Sequence, residues 1–228
     1  DLQLAHENLA KLDILFAKVL QAVKMDLVQP EIAETTSVYS GLFNPLIKHI
    51  LRQKNKDFQP VDISLEKSPC LITGANMGGK TVLLKSVALA QYLFQFGFYL
   101  PAKEASVVPV EEIYFSLEDN QSELSGLSSY AAEMLNINKI LQSVRSGKHI
   151  LALIDEPART TNPDEGRALV FALLSLLVKA NVRSLITTHY SNIHVACRKL
   201  VVKGLQFSNL NEKVTFQNIN NFMDYSLI

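Results

Sequence analysis

Residues 74 to 81 read Gly74-Ala75-Asn76-Met77-Gly78-Gly79-Lys80-Thr81, a string that opens with glycine and closes with Gly-Lys-Thr. Three of the nine glycines of the chain fall here, and a turn without side chains can point successive backbone N–H groups inward around phosphate oxygens. Lys80 would face solvent in the empty loop and reach the β- and γ-phosphates of a bound nucleotide, and the Thr81 hydroxyl would ligate Mg2+. Downstream, the apolar run His149-Ile150-Leu151-Ala152-Leu153-Ile154 ends in Asp155-Glu156. A carboxylate at the end of a core strand needs a cation or donors close by. Asp155 is suited to hold Mg2+ through its hydration shell. Glu156 points elsewhere and would polarise a water attacking the γ-phosphate. His189, in Thr187-Thr188-His189-Tyr190, would donate to that phosphate or water; His194 lacks the carboxylate or thiol partners of a metal site.

These side chains can cooperate only if the chain brings them to one edge. Cys70-Leu71-Ile72-Thr73 predicts a short strand running into the glycine-rich loop, and Thr81 to Phe96 predicts a helix. Val107-Val108-Pro109-Val110 and Ile113-Tyr114-Phe115 read as strands, Tyr130 to Val144 as a helix, and His149 to Ile154 as a buried strand. Gly166 to Ala180 is helical, Ser184 to Thr188 a strand, and Leu200-Val201-Val202 with Lys213-Val214-Thr215-Phe216 a late strand pair. Strands alternating with helices predict an α/β fold with parallel central strands, whose ends share one crevice. Ahead of this region, Leu9, Leu12, Leu15, Phe16, Val19, Leu20 and Val23 have the spacing of an amphipathic helix, stopped at Gln29-Pro30. Glu31 to Ile50 is mixed, with turn signals at Ser40-Gly41 and Asn44-Pro45, and Arg52 to Asp57 reads as an exposed loop.

The composition excludes other classes. With 48% apolar and 19% charged residues over 228 positions, the chain is not disordered. The 22 basic and 22 acidic side chains cancel, so there is no general attraction to nucleic acid. Cys70 and Cys197 are too few for a disulfide framework, and no apolar run reaches the roughly 18 residues of a membrane span. A cytoplasmic protein is expected. The chain begins at Asp1, which suits a piece of a longer protein.

Thr73 to Thr81 closely resembles the phosphate loop of the MutS family of ATPases, where Asn-Met-Gly-Gly-Lys is far more specific than the general motif. Gly97-Phe98-Tyr99-Leu100-Pro101-Ala102 looks like the family's Gly-x-(aromatic)-Val-Pro-Ala segment. Gly126-Leu127-Ser128-Ser129-Tyr130-Ala131-Ala132-Glu133-Met134 is similar to its signature segment, Gly-Arg-Ser-Thr-Phe followed by Glu-Met, and Thr188-His189-Tyr190 matches its Thr-His-Tyr. Leu9-Ala10-Lys11-Leu12-Asp13 resembles the end of the family's lever, and Phe58-Gln59-Pro60-Val61-Asp62 its adenine-side segment, with Val61 in place of asparagine. Asp155-Glu156-Pro157-Ala158-Arg159-Thr160-Thr161 departs from the repair proteins' Asp-Glu-Leu-Gly-Arg-Gly-Thr by losing both glycines. Asn162-Pro163-Asp164-Glu165-Gly166 is nearer to the Smr-tailed branch. The string from Ala158 to Pro163 also resembles the MutS-like subunit of the lysine 5,6-aminomutase reactivase.

The resemblance implies a phosphate-loop NTPase of ABC/MutS type with a mainly parallel central sheet, a helical lever over 1–30 and an ATPase domain over 31–228. ATP and Mg2+ would be bound, with Phe58 and Val61 beside the adenine. It further implies a homodimer, or a heterodimer with a MutS-like subunit, whose composite sites take Ser128 from one subunit to the other's nucleotide. Gly126 to Ser129 reads equally as a polar turn capping the next helix. Three uses follow: a DNA clamp of the mismatch-repair type, which would need upstream modules to engage DNA; an ATPase acting on an aminomutase client; and a regulatory nucleotide-binding module.

Overall fold

The strand carrying Cys70, Leu71 and Ile72 lies inside a six-stranded sheet, with all three side chains buried. The computed structural model describes residues 2–74, 79–116, 129–159, 161–205 and 223–228. Ala75, Asn76, Met77, Gly78 and Ser128 lie outside the described residues, as does the strand expected at Lys213 to Phe216. The chain runs α1 (Leu2–Met25), β1 (Glu31–Ile32), β2 (Ser37–Leu42), α2 (Pro45–Gln53), β3 (Val61–Leu65), β4 (Pro69–Thr73), α3 (Lys80–Gln95), β5 (Glu104–Val107) and β6 (Glu112–Ser116). It continues with α4 (Ser129–Arg145), β7 (Ile150–Ile154), α5 (Pro163–Lys179), β8 (Arg183–Thr187), β9 (Arg198–Leu205) and β10 (Met223–Leu227).

The larger sheet has the order β10-β9-β4-β8-β7-β6. Every neighbouring pair from β9 to β6 is parallel, and only β10 on the edge is antiparallel. Alternation along the strands explains the unbroken apolar runs, since parallel strands bury both faces. Leu151 and Leu153 join the core that holds Leu84, Val87 and Ala90 of α3, whereas Ile150, Ala152 and Ile154 face Val170, Leu173 and Leu174 of α5. The fold is α/β with a mainly parallel sheet, as the alternating pattern predicts.

A second sheet, β1-β5-β2-β3, is not legible from its residues in order. The stretch read as mixed with turns forms β1, β2 and α2 instead. Asn44 is a helix cap that accepts from the Ile47 amide at 3.2 Å, with Pro45 opening α2. That helix continues to Gln53, so only the end of the expected Arg52 to Asp57 loop is irregular. The strand expected at Val107 to Val110 stops at Val107, because Pro109 has no N–H to give a ladder; the Val108 amide donates to Ser37 Oγ instead. Among the described residues β9 pairs with β4 on one side and with β10 on the other.

α1 has one buried residue, Ala22. It is tied to the rest by Lys18, whose ammonium donates to the Phe96 and Gly97 carbonyls and lies 4.4 Å from the Phe98 ring centre. Among the described residues no helix is long and apolar enough to cross a membrane.

Candidate functional site

Three parallel strands, β4, β7 and β8, end at one edge of the sheet, and each delivers part of the site there. β4 leads to Gly74, and Gly79, with a left-handed φ of 78°, is the residue that opens α3. A Cβ on Gly79 would stand 3.0 Å from the Tyr225 ring, so glycine serves both the backbone and the close approach. Lys80 is the first residue of α3, and its side chain is not solvent-facing as expected: it is 4% exposed. Its ammonium donates to the Gly74 carbonyl at 2.7 Å and stands 3.3 Å from Glu156 Oε1. A buried ammonium needs acceptors and an opposite charge, and the strand ends supply both.

Thr81 Oγ1 donates to Asp155 Oδ2 at 2.7 Å, and the other oxygen of Asp155 accepts from Thr187 Oγ1 at 2.5 Å. Thr187 Oγ1 in turn accepts from the Glu156 amide at 3.0 Å, so one hydroxyl at the end of β8 orients both acids at the end of β7. Glu156 Oε2 lies 3.4 Å from His189 Nδ1 and 3.9 Å from Arg159 Nε. Glu156 has φ 44° and Ala158 φ 62°. Such left-handed non-glycine residues cost about 1–3 kcal/mol each and persist where surrounding contacts over-determine them.

Next to Gly79 is a cavity of about 200 Å³, bounded by Phe58, Val61, Val82, Leu83 and Tyr225 among others. Gln59, also on its wall, accepts from the Tyr225 amide and donates to Asp224 Oδ1, both at 3.0 Å. The Gln59 hydrogen bond, followed by those from Ser226, holds the Asp224 carboxyl well below the usual range.

Lys80, Thr81, Asp155, Glu156 and His189 therefore meet at one edge, with Gly74 and Gly79 flanking them and Phe58 and Val61 on the adjoining cavity. The paired Thr81 hydroxyl and Asp155 carboxylate are hard oxygen donors of the type Mg2+ takes. Among the described residues no group of three or more His, Cys, Asp or Glu could hold a metal by itself, His194 included. Thr187 and Tyr225 were not singled out from the sequence. A threonine closing an apolar strand carries no distinctive signal, and Tyr225 stands 146 positions beyond Gly79.

A family model described as MutS domain V matches residues 70–225. The chain belongs to the MutS family. The match takes in every strand-end residue of the site and Tyr225, and leaves Phe58, Val61 and α1 outside it. Similar MutS-family proteins include the "Endonuclease MutS2" of Caldanaerobacter subterraneus, 37% identical over 190 residues, and that of Finegoldia magna, 36% identical over 190 residues. In both pairs the alignment covers 82% of this chain and 23% of the relative. The Thermus thermophilus protein of the same name is 34% identical over 185 residues, which is 81% of this chain and 24% of that one. The chain thus spans about a quarter of the length of these curated relatives.

Proposed function

We propose that this MutS-family domain binds Mg-ATP in a phosphate loop and hydrolyses it. The observation that supports this best is the convergence of Lys80, the Thr81–Asp155 pair and the Glu156–His189 pair at one edge of the parallel sheet. Residues 74–81 wrap the phosphates, and the α3 N-terminus adds its partial positive charge. Lys80 exchanges the Gly74 carbonyl and Glu156 for the β- and γ-phosphates. Thr81 and Asp155 hold Mg2+, which when bound neutralises charge on the phosphates. Released from Lys80, Glu156 orients and polarises the attacking water, and His189 donates to the γ-phosphate or to that water. Phe58, Val61 and Tyr225 offer the base a mostly apolar slot beside Gly79.

In this reading residues 31–228 form the ATPase domain and α1, within 1–30, is a lever to upstream modules. Two subunits, identical or homologous, clamp around ATP through Ser128 and separate after hydrolysis. The naming of the relatives as endonucleases favours a DNA load of the mismatch-repair kind. The Ala158 to Pro163 string favours an aminomutase client as the second reading, and aminomutase genes beside this one would support it.

The test is Glu156→Gln with ATP. Retained Mg-ATP binding, turnover slowed by about a hundredfold or more, and ATP-dependent self-association in sedimentation are expected. Unchanged turnover would remove Glu156 from the chemistry and favour the regulatory module. By itself the chain is expected to bind DNA weakly and to show no preference for a mispair over a matched duplex. A tenfold preference in competition, about 1.4 kcal/mol, would contradict that.

A further inference from the structure

Side chains from two separate segments bond to the backbone of Ala158, and neither contact is used by the chemistry above. The Ala158 amide donates to Glu133 Oε1 of α4 at 2.6 Å, and the Ala158 carbonyl accepts from the Tyr190 hydroxyl at 2.8 Å. Ala158 is 1% exposed and left-handed, two residues after the equally left-handed Glu156. The resembled repair motif has glycine at this position, where the conformation costs nothing; alanine needs outside contacts to hold it. A hydrogen bond from an amide to an ionised carboxylate is of the stronger kind.

The fit around this residue is close. A Cβ on Gly166 of α5 would fall on the Tyr190 hydroxyl and stand 3.0 Å from the Ala158 carbonyl, so the helix has no side chain where the contact passes. Burial, followed by the negative charges of Glu133 and Glu156, pushes the Tyr190 hydroxyl up from its ordinary value, which keeps it a donor. The 155–159 turn is thus gripped from α4 on its amide side and from the segment that follows β8 on its carbonyl side.

We propose that Glu133 is a positioning residue for Glu156: through the Ala158 amide it holds the 155–159 turn so that the Glu156 carboxylate stays beside Lys80 and His189. The role assigned to Glu133 runs through the Ala158 amide rather than through a reacting atom. The inference rests on Glu156 being the residue that orients the attacking water.

The experiment compares Glu133→Ala and Glu133→Gln in the 228-residue chain, each alone and combined with Glu156→Gln. It reads kcat, KM, nucleotide affinity and amide exchange. Glu133→Ala is expected to lower kcat about tenfold or more with KM and affinity changed by no more than about twofold. Glu133→Gln still offers an oxygen to the Ala158 amide and should keep kcat within about threefold of the parent. In the Glu156→Gln background Glu133→Ala should have no further effect, since nothing is left to position.

Full kcat in Glu133→Ala while Glu156→Gln is slowed overturns this proposal alone, as does a loss of equal size in both backgrounds. Fast turnover in Glu156→Gln overturns the ATPase role of Glu156 and the positioning role with it. Exchange of the Ala158 amide needs no turnover: about tenfold faster exchange in Glu133→Ala and parental exchange in Glu133→Gln support the contact. Unchanged exchange in both overturns it. Glu133→Asp, one methylene shorter, replaces the alanine variant if that does not fold, with the same expectations.

Discussion

Lys80 Nζ lies 3.3 Å from Glu156 Oε1, so the residue proposed to grip phosphate and the residue proposed to activate water form an ion pair with each other. Their side chains are 4% and 16% exposed, which leaves little water to replace either partner. Lys80→Met should therefore do two things. Nucleotide affinity should fall about a hundredfold or more, and stability should fall by about 1–3 kcal/mol, because a mostly buried carboxylate loses its nearest cation while Arg159 and His189 remain. Isothermal titration and urea unfolding read the two effects separately. An unchanged urea midpoint would contradict the pairing.

Thr187 offers a second test, since its hydroxyl donates to Asp155 and accepts from the Glu156 amide. Thr187→Val keeps the shape and removes both bonds at a fully buried position. A loss of about 1–3 kcal/mol is expected, together with a higher Mg2+ requirement for ATP binding, as Asp155 loses its orientation. Magnesium titrations of nucleotide affinity check this; parental Mg2+ dependence would confine Thr187 to stability.

Gly166→Ala sets two effects against each other. Alanine is the better helix former by about 0.8–1 kcal/mol, but its Cβ would collide with the Tyr190 hydroxyl. Overpacking in a closed site costs typically 1–3 kcal/mol, so the variant should be destabilised. Tyr190→Phe removes the obstructing oxygen and should recover part of the loss. Thermal unfolding of the two single variants and the double variant decides it, and a stabilised Gly166→Ala would contradict the packing.

Glu112 joins β6 to α4 and the turn that follows it. Its carboxylate pairs with Lys148 and accepts from Ser143 Oγ at 2.6 Å and Tyr114 OH at 2.8 Å. Led by the Lys148 hydrogen bond, these contacts lower its pKa from the ordinary 4.5 to about 2. A carboxylate with a depressed folded pKa contributes stability above its unfolded pKa, and that contribution is lost as pH falls from about 4.5 toward 2. The stability gap between the parent and Glu112→Gln should be full at pH 6 and narrow steadily below pH 4.5, read by urea unfolding at a series of pH values. A gap independent of pH would show that the carboxylate is not held in its charged form.

The sequence alone determined the parallel sheet and the proposed ATP-site residues at its edge. Apolar runs such as Ile150 to Ile154 are continuous because a parallel strand is covered on both faces, and this pattern is local enough to read without coordinates. Lys80, Thr81, Asp155, Glu156 and His189 were legible because a glycine-rich turn, paired acids and a histidine stand directly after such strands, and parallel strands end on a common edge. The smaller sheet was not legible. Its central strands pair residues far apart in the chain, as Tyr39 does with Ala105, and Ser40-Gly41 signals a turn although both residues lie inside β2.

Only the tertiary structure decided what lies around those side chains. Lys80 is buried because β7 brings Glu156 within reach of its ammonium, a distance set by strand register and absent from any local pattern. Thr187 acquires its role from the neighbouring strand, and Tyr225 reaches Gly79 because β10 turns back along β9. Ala158 holds a conformation suited to glycine because Glu133 and Tyr190, 25 residues before it and 32 after, both bond to its backbone. Backbone strain and hydrogen-bond partners are products of packing, and a sequence encodes them only through the fold it adopts.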